Sequence, residues 1–310
     1  MVDGVRQTRF PAGTLVLYDE PGHHFETDVA DGFHVRGKPV GRKRGRSPPP
    51  WSMMVYVDSK ARDIVNMPRG GPDASWLDRR LQTNRLEYLD RDDVDKLKQK
   101  VVRSLDRAGR RRFMGAHEKL AKIVLGEVPD VPSPKILELG AGLGGLSSKL
   151  LEIHPTAEVT VTDIDPTFVA EIAAGDLGSH PRATVQVMDA TAIDAPDGHY
   201  DLAVFAMSLH HLRPALAAQV LAEGTRAANK LLIIDLRRPP APLHSVVLAA
   251  VWPFTGLSPL AHDGFISQRR AYSPSALSAL ADFADPAIAI EFPTQRMGPT
   301  VAVASRARAN

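Results

Sequence analysis

From residue 134 onward, apolar residues fall into short runs separated by amphipathic stretches, a strand–helix–strand–helix rhythm that predicts a parallel sheet covered on both faces. The predicted strands are Lys135–Leu139, Glu158–Thr162, Thr184–Val187, Leu202–Ala206 and Lys230–Ile234. Several are almost continuously aliphatic, as strands buried on both faces must be. A helix is predicted from Leu146 to Ile153, directly after the first strand. Later, Ala287–Phe292 and Val301–Ala304 read as two further strands, with Gly298-Pro299 between them suiting a hairpin at one sheet edge. Upstream, Val94, Leu97, Val101, Leu105 and Ala108 fall within about 80° of one another at about 100° per residue. That spacing predicts an amphipathic helix, capped by Asp92 and Asp93. Lys96, Lys100, Arg103, Arg107, Arg110 and Arg111 collect on a separate face of it. A second helical segment runs around His117 to Val124.

The pattern divides the chain into three parts. Residues 1–52 keep neither period and contain the basic run from Arg36 to Arg46, ending in Ser-Pro-Pro-Pro, so they are expected to form a disordered basic tail. Met53 and Met54 follow directly, and translation starting there is one hypothesis. Residues 53–132 are expected to form an N-terminal helical extension, irregular as far as about residue 83. Residues 133–306 are expected to form the α/β domain, interrupted by an apolar insert at 239–272.

Composition narrows the chemistry. The 310 residues include no cysteine, which excludes thiolate catalysis, disulfides and cysteine-ligated metals, and no metal centre is expected. A net charge of +2, with 44% hydrophobic and 24% charged residues, fits an ordinary globular protein. No apolar run approaches the roughly 20 residues needed to cross a bilayer, and the first thirty residues lack a signal-like core. The chain is therefore expected to be cytoplasmic. The basic helix face and the apolar insert leave open a peripheral contact with the inner face of the membrane. A basic face without interleaved aromatics argues against stable nucleic-acid binding.

The predicted strand ends carry the candidate chemistry. The first runs through Glu138 into Gly140-Ala141-Gly142-Leu-Gly144-Gly145, where glycines let backbone approach a ligand closely and the following helix start offers free N–H groups. This spacing also satisfies the dinucleotide fingerprint G-x-G-x-x-G, so on its own it leaves the ligand open. In an open parallel sheet, ligands lie beyond the carboxyl ends of the strands. Strands two and three end at Asp163 and Asp189, and strand four leads into Met207-Ser208-Leu209-His210-His211. Asp163 can accept both hydroxyls of a ribose. Asp189 can accept from an adenine amine, with the Ala190 N–H facing a ring nitrogen and Ile164 covering one face of the base.

Glu138-Leu-Gly140-Ala-Gly142, Asp163, Asp189 and the stretch from Tyr200 to Leu212, in that order and at those strand ends, resemble the class I S-adenosylmethionine-dependent methyltransferases. The resemblance covers about residues 90–306 and is greatest to the small-molecule branch that includes the ubiquinone and menaquinone biosynthesis enzymes. His262 through Pro274 also resembles a segment of bacterial members. What the resemblance implies is a Rossmann-like, seven-stranded, mostly parallel sheet with an antiparallel edge hairpin and helices on both faces. It further implies that Glu138, Gly140, Ala141 and Gly142 meet the methionine part of the cofactor S-adenosyl-L-methionine. Asp163 and Ile164 would meet its ribose and base, Asp189 and Ala190 its adenine, and Met207 to His211 the reacting side.

The expected function is methyl transfer to a small, hydrophobic acceptor of phenolic, polyketide or lipid-like kind. His211 and His210 are the candidate bases, since histidine titrates near ~6.5 and a phenol near ~10. Trp252 and Phe254 in the insert, with His262, Arg269 and Tyr272, are the candidate acceptor contacts. The alternatives are an RNA or protein methyltransferase, a nicotinamide-dependent oxidoreductase and a non-catalytic cofactor-binding protein.

Overall fold

The computed structural model describes residues 5–9, 15–19, 63–91, 93–110, 115–293 and 298–306. Its contacts divide the chain into two units, Met1–Asn66 and Met67–Asn310. In the first, strands β1 (Val5–Arg9) and β2 (Leu15–Asp19) pair antiparallel, with Val5 opposite Asp19 and Arg9 opposite Leu15. This departs from the expected disorder. Two short β-prone runs flank Pro11 and Gly13, a turn signal outweighed in the sequence by the Gly- and Arg-rich stretch that follows. The basic run at 36–46, Met53 and Met54 lie outside the described residues, as do Asp92, Arg111 and the side chain of Arg110.

The second unit opens with helix α1 (Trp76–Leu81), where no helix is expected; Ser75 caps it by accepting from the Asp78 N–H at 3.2 Å. A 3-10 turn at Tyr88–Asp90 precedes α2 (Asp95–Arg110) and α3 (Ala116–Leu125). The α/β part then alternates β3 (Lys135–Leu139), α4 (Gly145–Ile153), β4 (Glu158–Asp163), α5 (Pro166–Ala173), α6 (Asp176–Ser179) and β5 (Ala183–Val187). It continues with β6 (Tyr200–Ala206), a 3-10 turn at Leu209–His211, α7 (Pro214–Ala227) and β7 (Ala228–Asp235). The insert folds into α8 (Ala241–Val251), a 3-10 turn at Trp252–Phe254 and α9 (Pro259–Arg270). Helix α10 (Pro274–Ala284) and strands β8 (Ile288–Glu291) and β9 (Thr300–Arg306) complete it.

The seven strands are ordered β5-β4-β3-β6-β7-β9-β8. The first five are parallel, and β9 runs antiparallel to both β7 and β8, so the mostly parallel sheet with an antiparallel edge pair is observed. Ile136 stands beside both Val159 and Leu202, and Leu231 through Ile234 are fully buried, so the aliphatic runs form the sheet's interior. Strand order reverses at β3, because the chain steps outward to β4 and β5 and then returns to lay β6 on β3's other side. The crevice between the carboxyl ends of β3 and β6 is where such a sheet takes a ligand.

Candidate active site

Beyond these strand ends lies a cavity of about 450 Å³, lined by the turn after β3, the ends of β4, β5 and β6, and side chains of α2 and α3. A broader hollow of about 720 Å³ lies near the amino ends of β3 and β4, between Pro129 and Thr156, and a lone carboxylate, Asp130, is among its lining residues. We take the smaller one as the site because the polar groups converge there.

Its floor is built by local backbone demands. Gly140, Gly142 and Gly144 have φ of 64°, 57° and 72°, the left-handed region where a side chain is strained. The Gly142 N–H donates to Asp163 Oδ2 at 2.8 Å and the Asp165 N–H to Oδ1 at 2.9 Å, so one carboxylate joins the turn after β3 to the turn after β4. Each oxygen keeps a further lone-pair direction. Burial raises the Asp163 carboxyl above its usual range. Glu138, 4% exposed, accepts from the Ser147 N–H at 3.0 Å and from its Oγ; burial pushes its carboxyl up to about 7. Asp189 Oδ1 accepts from Thr191 N at 2.8 Å and Oγ1 at 2.7 Å, which closes the turn after β5. Asp165 caps α5 through Thr167 N and pairs with Lys98 at 2.6 Å, tying α2 across the floor.

The wall comes from parts of the chain far apart in sequence. Met207 has φ 55°, an uncommon conformation for a non-glycine residue, and its N–H donates to Ile234 O at 2.7 Å as β6 breaks into the His210-His211 turn. His210 is buried, with Nδ1 2.6 Å from Asp235 Oδ1 at the end of β7. His211 lines the cavity, with Nδ1 2.7 Å from Asp90 Oδ1. Arg270 donates to Asp90 and to the carbonyls of His210 and His211, and Arg69 donates to His210 O at 3.2 Å and Arg270 O at 3.0 Å. Burial would raise the Asp90 carboxyl; His211 and Arg270 outweigh it and hold it well below its usual range. Burial likewise opposes ionisation of Asp235, and His210 again outweighs it, leaving that carboxyl lowered.

The cavity therefore gathers Glu138, Gly140, Ala141, Gly142, Asp163, Ile164, Asp189, Ala190, Met207 and His211. It does not gather the five residues expected to touch the acceptor, and His210 stands behind the wall. Trp252 and Phe254 are 67% and 55% exposed on the surface of the insert, because the buried side of α8 is formed by His244 and Leu248. His262 pairs with Asp263 and lies against the Tyr88 ring, Arg269 donates to the carbonyls of Leu81 and Gln82, and the buried Tyr272 hydroxyl donates to Leu212 O at 2.9 Å. These three hold the N-terminal segment and the wall together. Sequence reading missed Glu87, Asp90, Asp235, Arg270 and His117. Of these, Asp235 carried a signal because it directly follows a predicted strand, and Arg270 because it lies within the segment from His262 to Pro274.

The residues present fit an adenosine-type cofactor by one direct test. A Cβ built on Gly142 would meet nothing within 4 Å, so that backbone is open, while the lining residues Ile164 and Met207 are 56% and 38% exposed. An apolar rim beside carboxylates that still have acceptor capacity matches a base attached to a ribose.

Residues 136–230 match the family model of a methyltransferase domain. The chain is 27% identical over 149 residues to the ubiquinone/menaquinone biosynthesis C-methyltransferase UbiE of Cupriavidus necator, covering 46% of this chain and 60% of that protein. The match thus spans less than two thirds of that curated relative's length. Among solved structures, the plantazolicin methyltransferase BpumL in complex with a monoazolic desmethylPZN analog and SAH superposes with a TM-score of 0.51 at 12% identity, covering 71% of this chain and 93% of that one. A SAM-dependent methyltransferase from Aquifex aeolicus gives a TM-score of 0.45 at 19% identity, covering 66% and 95%. At 12% identity the likeness to the first of these speaks for the fold alone. Fold and family match together identify residues 136–230 as the core of a class I S-adenosylmethionine-dependent methyltransferase domain, similar in sequence to the ubiquinone/menaquinone biosynthesis C-methyltransferases.

Proposed function

We propose that the chain transfers the methyl group of S-adenosylmethionine to a small, apolar acceptor that carries a hydroxyl or an acidic carbon. One observation carries this reading: the glycine turn, the acids at the ends of β4 and β5, and His211 after β6 all face one cavity of about 450 Å³. Its remaining lining is largely apolar, including Val102, Leu105, Leu143, Phe168, Phe205 and Leu212. Apolar walls with few convergent polar groups select small organic molecules over charged polymers.

When bound, the cofactor supplies an already activated sulfonium methyl. What is left for the protein is to hold the acceptor in line with it, an effect that contributes roughly 7–11 kcal/mol in well-oriented systems. Gly140 and Gly142 would receive the methionine part, Asp163 the ribose hydroxyls, and Asp189 with the Ala190 N–H the adenine. Ile164 and Met207 would cover apolar surface. His211, oriented by Asp90, would take the proton that the acceptor loses. The acceptor contacts are then supplied by α2 and the β6 turn rather than by the exposed face of the insert.

Calorimetric titration with S-adenosylmethionine and, separately, with NAD tests the class; binding of NAD alone would overturn it. Comparing metabolites of a deletion strain with those of its parent identifies the acceptor as a species lighter by one methylene.

A further inference from the structure

Behind His211, Glu87 stands between two imidazoles. Its Oε2 is 3.9 Å from His211 Nε2 and its Oε1 is 4.0 Å from His210 Nε2. Both rings have their Nδ1 atoms engaged by carboxylates, Asp90 at 2.7 Å and Asp235 at 2.6 Å. With Nδ1–H as donor to each carboxylate, Nε2 is the basic nitrogen of both rings, within 4.0 Å of the same Glu87 carboxylate. Glu87 is 1% exposed; Ser267 Oγ donates to its Oε2 at 2.8 Å, and its Oε1 has no hydrogen-bond partner. Two basic nitrogens and a carboxylate gathered in a buried space form a site that can take up a proton.

The surrounding charges leave room for one. The carboxylates are Glu87, Asp90, Asp235 and, on α9, Asp263, which accepts from the Tyr88 N–H and pairs with His262. Against them stand two guanidiniums, Arg69 and Arg270, with Arg270 Nη1 3.6 Å from Glu87 Oε1. The Tyr272 hydroxyl nearby is kept neutral by burial. Carboxylates outnumber guanidiniums by four to two, so the cluster can accept a proton without gaining net positive charge.

We propose that Glu87 is the terminal proton acceptor of the methyl transfer, receiving through His211 the proton that the acceptor molecule gives up. This rests on the methyltransferase reading above. As the acceptor's new bond to the methyl carbon forms, the sulfur–methyl bond returns its electron pair to sulfur. The acceptor's bond to hydrogen breaks, and the proton passes to His211 Nε2, directly or through one water, and on to Glu87 Oε2. The gap between those two atoms shortens by about 1 Å when they share a proton. Asp90 is the poorer end point because Arg270 and His211 hold it ionised, so it orients His211 instead. Burial, which sets the Glu87 carboxyl at about 7, matches it to accept a proton near neutral pH and release it afterwards.

The test uses the full chain with labelled S-adenosylmethionine and the organic extract of the deletion strain as methyl acceptor. Wild-type turnover is expected to fall as pH drops below about 7, because Glu87 is then already protonated. Glu87→Gln keeps a carbonyl for Ser267 and is expected to lower turnover at least tenfold at pH 7, to lose that acidic limb, and to bind S-adenosylmethionine within twofold of wild type. Turnover that is unchanged, or lowered equally at every pH with the limb intact, would overturn the proposal. If Glu87→Gln fails to fold, infrared difference spectra of the wild type between pH 6 and 8 serve instead: a protonated carboxyl that His211→Asn abolishes or shifts supports the relay, and none overturns it. The ligand atoms of Glu87, His210 and His211 also lie within 4.8 Å of one another, so stoichiometric divalent metal in the purified protein would overturn it too. Absence of S-adenosylmethionine binding to wild type would instead defeat the underlying reading.

Discussion

His211 Nδ1 and Asp90 Oδ1 lie 2.7 Å apart across 121 residues of sequence, joining the end of β6 to the segment that precedes α2. In the proposed reaction this pair sets which ring nitrogen receives the proton, and Asp90→Asn reverses that preference, because an amide N–H₂ in the same place calls for an acceptor at Nδ1. Asp90→Asn and His211→Ala are each expected to lower turnover at least tenfold while the dissociation constant for S-adenosylmethionine stays within about threefold. Initial rates and calorimetry on the same preparations check this, and loss of cofactor binding in both variants would move the pair from the chemistry to the cofactor site.

Gly142→Ala places a methyl group in open space at φ 57°, so it strains the backbone by about 1–2 kcal/mol without a clash inside the protein. In the proposed cofactor site the added Cβ would occupy room that the methionine part needs. S-adenosylmethionine affinity is expected to drop at least tenfold with a modest loss of melting temperature. Gly144→Ala is the control: its Cβ would come within 2.5 Å of Leu177, so it should unsettle folding rather than binding alone.

Glu138 predicts a pH dependence of stability. Burial raises its carboxyl in the folded protein from 4.5 to about 7, so the folded state holds a proton that the unfolded chain has released. Stability contributed by that proton is fully present below about pH 4.5 and is lost as pH rises through about 7, a difference of about 3 kcal/mol in favourable cases. Glu87 contributes in the same direction. Glu138→Gln should therefore show a smaller fall in melting temperature than wild type between pH 5 and 7.5, measured without cofactor. An identical slope would mean that Glu138 stays ionised throughout.

Arg238 is buried and pairs with Asp78 at 2.9 Å while donating to the carbonyls of Arg269 and Ala271, so it bolts α1 to the end of α9. Removing it leaves the carboxylate of Asp78 buried without its partner. Arg238→Leu is expected to destabilise the fold by about 3–5 kcal/mol, and adding Asp78→Asn should recover much of that. Denaturant titration of the single and double variants decides it.

Trp252→Ser and Phe254→Ser are expected to leave both melting temperature and turnover close to wild type, since their exposed side chains are outside the cavity lining. A tenfold loss of turnover would return the insert to the acceptor site.

What could be read in advance, and what could not, follows from the range of the interactions. The turn at Gly140–Gly142 and the acids at or just beyond the ends of β4 and β5 are local features: each stands where a strand stops, on the cavity side. Periodicity therefore places them, and the strand ends moved by a residue or two only. Asp90, Glu87 and Arg270 act by contacts about 60 to 180 residues away, with nothing in their neighbours' spacing to single them out. The insert was hard to read for another reason. Apolar content says that a helix has something to bury but not which side does so, and α8 turns Leu248 inward while leaving Leu243, Val246 and, just beyond it, Trp252 outside.

The bonds from Arg69 and Arg270 to the carbonyls around His210 have a temporal consequence. Arg69 and the Arg270 carbonyl that it holds are 201 residues apart, so the first element of the wall waits on one of the last. A nascent chain that has emerged only as far as β7 can already have the glycine turn and the floor acids, yet it lacks the brace behind the two histidines. The closure of so long a loop is slow compared with local helix and strand formation. In the proposed mechanism, competence for the chemistry is thus expected only after residue 270 has left the ribosome, later than the glycine turn can form.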